Sequence, residues 1–284
     1  MRRRSWVLGV VTSASALLAG CVEGFFFHPD QLTYTTPAQL GLVAHDVFFQ
    51  SADGVRLHGW WLPAAGIAHA TVVHAHGNAA NISNHLPLVA WLPREGINVL
   101  SFDYRGFGRS EGKPTLDGVV ADTRAALAEA RRRRTAPNQP LVLLGQSLGG
   151  ATAIRAAAEE TGAGASDIKL LVIDSAFASY RGIVREAASG SVLGLIAPLA
   201  VASLPPATSD PLAALGRIGL PLLFLHGDQD RVISIRNSEQ LHAAAVGPKH
   251  FVRIAGGQHI DALTREEVRA RVLAMIASAS RGSP

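Results

Sequence analysis

The sequence predicts an α/β domain, with a mostly parallel central sheet covered by helices on both faces. Two observations lead there. Apolar runs of strand length recur along the chain and alternate with helical patterns. Strands read as continuous apolar runs when helices bury both faces of a parallel sheet. One of these runs, "PLVLLGQ", reaches a glycine-flanked serine and passes without a linker into the helical "ATAIRAAAEE", a strand-to-helix turn of the form G-x-S-x-G.

The chain has 284 residues, enough for one large α/β domain with a sizeable core. A hydrophobic content of 48% with 17% charged residues excludes disorder for the bulk of it. Ahead of the domain, "MRRR" precedes an apolar stretch, "SWVLGVVTSASALLAG", that ends at the single cysteine, the layout of a secretory signal peptide. Leu18-Ala19-Gly20-Cys21 resembles the bacterial lipobox, in which cleavage precedes a diacylated cysteine. Residues 1–20 are therefore expected to be removed and Cys21 to be lipidated, holding the protein on a membrane. The alternative is an uncleaved anchor helix, although the run is short for a span. Val22 follows, with no aspartate to signal inner-membrane retention. The expected location is the bacterial cell envelope, and the outer membrane where the source has two.

With Cys21 acylated, no cysteine remains for a disulfide, a thiolate metal site or a thiol nucleophile. The formal charge of +4 owes three units to Arg2, Arg3 and Arg4. Arg131 to Arg134 form the internal basic run, and they close a helical pattern where cations complement the helix dipole. No basic residues are spread over a face in the way a nucleic-acid site needs.

Residues 21–44 carry turn-formers and little periodicity, and are expected to be a tether to a domain spanning 45–280. "DVFFQ" and "RLHGWWLP" flank an Asp-Gly turn and read as a hairpin. Strand and helix then alternate: "ATVVHAHG", a helix over 82–94, "INVLSFD", a helix over 115–134, "PLVLLGQ", and the helix after Ser147. "IKLLVIDSAF", "LPLLFLHG" and "HFVRIAG" supply three more strands, and a last helix covers 265–278. Residues 178–219 break the alternation. Apolar and proline-punctuated around "SGSVLGLIAPLAVASLPP", they form a short lid over the site or an excursion packed on the core.

A turn of this kind lifts Ser147 above the strand ends, and a serine there needs a base and an acid that orients the base. Of the 11 histidines, only His242, His250 and His259 follow Asp230. His242 falls in a helical pattern and His250 at a strand start, whereas His259 occupies a loop after a strand, as the base should. Asp230, just beyond "LPLLFLHG", is the expected acid, with Asp228 and Asp174 as the other candidates. Backbone N–H groups of Leu148 and of Asn78, in "HAHGNAAN", are the expected donors to the oxyanion formed when Ser147 attacks a carbonyl.

"HGNAANIS", "DYRGFGRSEG", "GQSLGG", "HGDQDRVIS" and "GGQH" together resemble the α/β-hydrolases, close to the serine-aminopeptidase-like branch with a short lid. The likeness runs from about residue 46 to 276. It implies an α/β-hydrolase fold and a serine hydrolase that cuts an ester or thioester of a small-molecule or lipid acyl substrate through an acyl-enzyme, with no metal or organic cofactor. It implies a structural role for Arg105 and Arg109 in "DYRGFGRSEG". Aminopeptidase or amidase activity is the alternative, and a non-catalytic, membrane-anchored binding lipoprotein is the rival from another class.

Overall fold

The computed structural model describes residues 24–162, 167–189, 201–202 and 204–280. Eight strands form one sheet: β1 (His45–Gln50), β2 (Arg56–Leu62), β3 (Ala70–Ala75), β4 (Ile97–Phe102), β5 (Leu141–Gln146), β6 (Ile168–Asp174), β7 (Leu222–Gly227) and β8 (Lys249–Ile254). Their order is β8-β7-β6-β5-β3-β4-β2-β1. β2 pairs antiparallel with both β1 and β4, and all other pairs are parallel. All eight strands expected from the sequence are present.

Side chains alternate between two cores, because successive residues of a strand point to opposite faces. Val73, Leu100, Leu143, Leu171 and Phe224 enter one core. Val72, Val99, Val142, Val172 and Leu223 enter the other. The first core is covered by α2 (Gly118–Arg133), through Val119, Leu127 and Ala130, and by α3 (Leu148–Gly162), through Ala151 and Ile154. On the opposite face α7 (Glu266–Ser280) buries Val268, Val272 and Ile276. The remaining helices are α1 (Ile82–His85), α4 (Tyr180–Ala188), α5 (Pro211–Leu215) and α6 (Arg236–Ala244).

The structure corrects two expectations and extends a third. The helix expected over 82–94 is one α-turn, α1, followed by 3-10 segments at Leu86–Leu88 and Leu92–Glu95. Pro87 and Pro93 lack the N–H that a continuous helix would use, so they break it. The tether expected over 21–44 is in part packed against the domain, while Leu32 and Val43 within it stay exposed. Phe26 and Phe27 are 4% and 5% exposed within the first core, and His28–Pro29 pairs in parallel with Ala79–Ala80. Burial of two phenylalanines outweighs the turn-forming character of the residues that follow them. Lastly, the basic run ends α2 as expected, yet its charges meet side chains as well as the helix end. Arg131 binds Glu160 and Asp167, Arg134 binds Asp167, and Arg132 and Arg133 both bind Glu129.

The expected lid, 178–219, is described only at its two ends. Most of its apolar middle, including Leu193, Leu195, Ile196 and Leu199, lies outside the described residues, as do residues 1–20 and Cys21. At the near end α4 flanks the site. At the far end Leu204 and Leu215 are buried in the first core, and the Leu212 N–H donates to Ala178 O at 3.0 Å.

Candidate active site

β5 ends at Gln146 and α3 begins at Leu148, so Ser147 alone makes the turn, with φ +54°. A non-glycine residue in this left-handed region stores strain and persists only where its surroundings impose it. The Ser147 N–H is held by Asp174 O at 2.8 Å, and its carbonyl accepts from Gly150 and Ala151 as the first bonds of α3. Close packing of the turn requires glycine at 149: a Cβ there would stand 2.0 Å from Ala75 O. The chain of β3 thus runs directly beneath the start of α3.

The loops after β7 and β8 converge on the serine. His259 Nε2 lies 3.0 Å from Ser147 Oγ, and His259 Nδ1 lies 2.7 Å from Asp230 Oδ2. These loops meet because Gly227 has no side chain; a Cβ there would come within 2.3 Å of the Gly257 carbonyl. The Asp230 side chain is fully buried, and its Oδ1 accepts the Val232 and Ile233 N–H groups at 2.8 and 2.9 Å. Burial alone would raise this carboxyl. Hydrogen bonds from His226 and His259, with the Ile233 N–H, outweigh burial and hold it well below the ordinary carboxylate range. Asp230 therefore stays an anion at neutral pH, aimed at the histidine.

The other two acid candidates stand apart. Asp228 Oδ1 accepts the Gly256 N–H at 2.8 Å and so ties the two loops together. Asp174 is wholly buried beneath the site, accepting from Gln146 Nε2 at 3.0 Å and from Ser175 Oγ at 3.1 Å, and burial pushes its carboxyl up to about 6. Ser175 Oγ in turn accepts the Ile260 N–H at 3.3 Å, which braces the residue after His259. His242 packs between Phe224 and Phe251, and His250 lies beside Arg271 at the far side of the sheet.

Ser147 and His259 open into a cavity of about 380 Å³ whose wall includes Gly77, Asn78, Leu148, Phe177, Ile183 and Ile260. Among the described residues, neither the Asn78 nor the Leu148 N–H has a hydrogen-bond partner. Leu148 sits at the amino end of α3, where the helix dipole favours negative charge. The turn after Asn78 is fixed from two sides. Asp103, of "DYRGFGRSEG", accepts the Ile82 N–H at 2.8 Å. The His28 N–H donates to Asn78 Oδ1 at 3.1 Å and to Asn78 O at 3.4 Å. Arg105 is bound to Asp122 and Asp53 at 2.8 and 2.7 Å, and Arg109 to Asp46 at 3.0 Å. Both arginines brace loops and stand outside the cavity wall.

Sequence reasoning missed the contribution of the N-terminal segment. Phe25 and Phe26 line the cavity, and Phe26 packs edge-on against Tyr180. The "FFF" run was the available signal. It also missed His85, only 4% exposed with Nε2 on Ala79 O at 3.2 Å, which burial holds at about 4 and therefore neutral. Among the described residues no group of three or more His, Cys, Asp or Glu side chains is arranged to hold a metal ion.

Over 274 residues the chain is 38% identical to the uncharacterized protein YfhR of Salmonella typhi, covering 91% of this chain and 88% of that one. It is 31% identical to the alpha/beta hydrolase domain-containing protein WAV2 of Arabidopsis thaliana, covering 89% of this chain and 86% of that one. The chain belongs to the α/β-hydrolase superfamily. Residues 66–206 match the family described as serine aminopeptidase, S33. An esterase from Pyrococcus furiosus superposes on this α/β-hydrolase with a TM-score of 0.70 at 21% identity, over 88% of this chain and 98% of the other. That likeness is one of fold.

Proposed function

We propose that this α/β-hydrolase is a lipid-anchored serine hydrolase that cleaves a carboxylic ester or thioester through an acyl-enzyme. The observation that carries the reading is the unbroken hydrogen-bonded chain Ser147–His259–Asp230 at the base of an apolar cavity. Ser147 Oγ attacks the substrate carbonyl carbon while its proton passes to His259 Nε2. The Asp230 anion stabilises the imidazolium and fixes Nδ1 as the protonated nitrogen. The carbonyl oxygen, now negative, receives the Asn78 and Leu148 N–H groups. Collapse of the intermediate expels the alcohol or thiol, which takes the proton from His259. Water, deprotonated by the same histidine, then attacks the acyl-enzyme and releases the acid.

Ester or thioester cleavage is favoured over aminopeptidase action because, among the described residues, the cavity wall contains no aspartate or glutamate to receive a free α-amine. Anchoring is proposed on the lipobox-like "LAGC" ending at Cys21. The test of the activity is Ser147→Ala. It should lose at least three orders of magnitude in turnover of a short p-nitrophenyl ester while keeping the circular dichroism of the wild type. A variant with more than about a tenth of wild-type turnover would remove Ser147 from the mechanism. An inactive wild type would favour the non-catalytic binding role. The test of the anchor is the mass of the mature N-terminus, expected to begin at an acylated Cys21.

A further inference from the structure

The residues that follow the proposed anchor form part of the cavity itself. Phe25, 38% exposed, and Val232, 63% exposed, both line it and stand at its outer edge. Phe26, next in the chain, is buried against Phe177 and Tyr180, and the His28 N–H holds Asn78. The N-terminal segment is therefore pinned beside the opening on the carboxyl-end side of the parallel strands.

Cys21 stands four residues before Phe25. An extended chain spans at most ~3.6 Å per residue, so the Cα atoms of Cys21 and Phe25 lie within about 14 Å of each other. An acylated Cys21 cannot be far from the cavity opening. Cations for lipid phosphates stand close to the opening. Arg185, Arg231 and Arg236 are exposed on the segments that frame it, with no ion-pair partner among the described residues. The carboxylates on the same side are engaged within the protein: Glu186 by the Ser234 N–H and the Asn237 amide, Asp228 by the Gly256 N–H, Asp261 by the Gln258 N–H and Asp30 by the Tyr34 hydroxyl. Among the other exposed apolar side chains, which include Leu32, Val43 and Phe48, Ile67 and Val246 precede β3 and β8 and so lie at the opposite end of the sheet.

We propose that the opening framed by Phe25 and Val232 is held against the anionic membrane in which Cys21 is anchored, and that the acyl substrate reaches Ser147 from that bilayer. The inference rests on the lipid-anchored hydrolase reading above. It adds the direction of substrate entry and a role for the short spacing between Cys21 and Phe25. A short connection keeps the opening at the lipid surface, whereas a long flexible one dilutes the opening away from it.

The test uses the full acylated chain in phosphatidylcholine vesicles containing phosphatidylglycerol, with a flexible Gly-Ser linker of about twelve residues inserted between Glu23 and Gly24. Two substrates are followed, a soluble p-nitrophenyl butyrate and a long-chain 4-methylumbelliferyl ester embedded in the vesicles. The insertion should lower the vesicle rate about tenfold or more while the soluble rate stays within about twofold. A vesicle rate that also stays within twofold overturns the inference. So does a soluble rate that falls in step, since the linker would then be acting on the site and not on its approach. If the wild type turns over neither substrate, the hydrolase reading fails and the inference falls with it. A second readout needs no turnover: bromine-labelled lipid should quench the added emission of Phe25→Trp and not that of Ile67→Trp. Equal quenching of both, or of neither, overturns the orientation.

Discussion

Replacing Asp230 by asparagine changes one atom and should disable the site. Oδ1 of Asp230 accepts the Val232 and Ile233 N–H groups, so the asparagine carbonyl must stay there and the amide NH₂ must take the place of Oδ2. That position lies 2.7 Å from His259 Nδ1 and 3.2 Å from His226 Nε2. A donor then faces Nδ1, which favours the tautomer protonated at Nε2. That nitrogen stands 3.0 Å from Ser147 Oγ and in this form cannot take the serine proton. A tautomer error of this kind costs roughly 10⁴-fold in turnover, or about 5 kcal/mol in the barrier. By contrast Asp228→Asn keeps an acceptor for the Gly256 N–H and touches no part of the histidine, so its loss should stay within about threefold. The assay is kcat and kcat/KM on p-nitrophenyl butyrate near neutral pH, with folding checked by thermal unfolding. An Asp230→Asn enzyme retaining more than about a tenth of its kcat, or Asp228→Asn proving the more damaged, would refute the reasoning.

Three further outcomes are expected. Asp174 titrates at about 6 in the folded protein because it is buried, against about 4 when unfolded, so the folded state holds the proton more tightly. Its contribution to stability should therefore fall by up to ~3 kcal/mol as pH rises from about 4 through 6, against the rise contributed by the buried, neutral His74 and His85; Asp174→Asn should make stability climb more steeply with pH across this window in urea unfolding. A slope that the substitution leaves unchanged would contradict the assignment. Gly149→Ala would set a Cβ 2.0 Å from Ala75 O, on backbone that cannot yield; thermal unfolding should show ~3 kcal/mol of destabilisation or more. Finally, the cavity of about 380 Å³ should reward longer acyl chains. From butyrate to octanoate, ~0.8 kcal/mol for each buried methylene sets a ceiling of roughly 3 kcal/mol in kcat/KM. Rates falling steadily from acetate, with amino-acid amides cut faster than esters, would favour the aminopeptidase.

The parts of the molecule that could be read in the sequence are those dictated by local pattern and chain order. β3, β4, β5 and β7 are buried at every position, so each reads as a mostly apolar run in which a few buried polar residues, such as Thr71, His74, Asn98 and Ser101, are interspersed. Ser147 and Asp230 follow such runs, and His259 follows the partly exposed edge strand β8, so their convergence could be anticipated from chain order. Contacts made across the chain were not legible. His28 and Asn78 are fifty positions apart, and nothing local to either indicates their hydrogen bond. The packing of Phe25 and Phe26 on the cavity was likewise hidden by the turn-rich residues after them, although three successive phenylalanines in a tether were a warning. The interruption of the helix at 82–94 was visible in Pro87 and Pro93, where apolar periodicity outweighed the missing backbone donors. Chain order already favoured Asp230 over Asp228 and Asp174; what it could not show is where each carboxylate points, to His259, to the Gly256 N–H, or to Gln146 and Ser175.

The most direct measurement of the central claim is the mass of the intact protein after exposure to a fluorophosphonate, followed by peptide mapping. A serine whose proton can pass to a neighbouring imidazole reacts, and a merely solvated serine does not. The expected result is one phosphonyl adduct, located on Ser147, that is absent in Ser147→Ala and forms at least a hundredfold more slowly in His259→Ala. A wild-type protein that stays unmodified, or an adduct on any other residue, would contradict the assignment of Ser147, His259 and Asp230 as the machinery of hydrolysis.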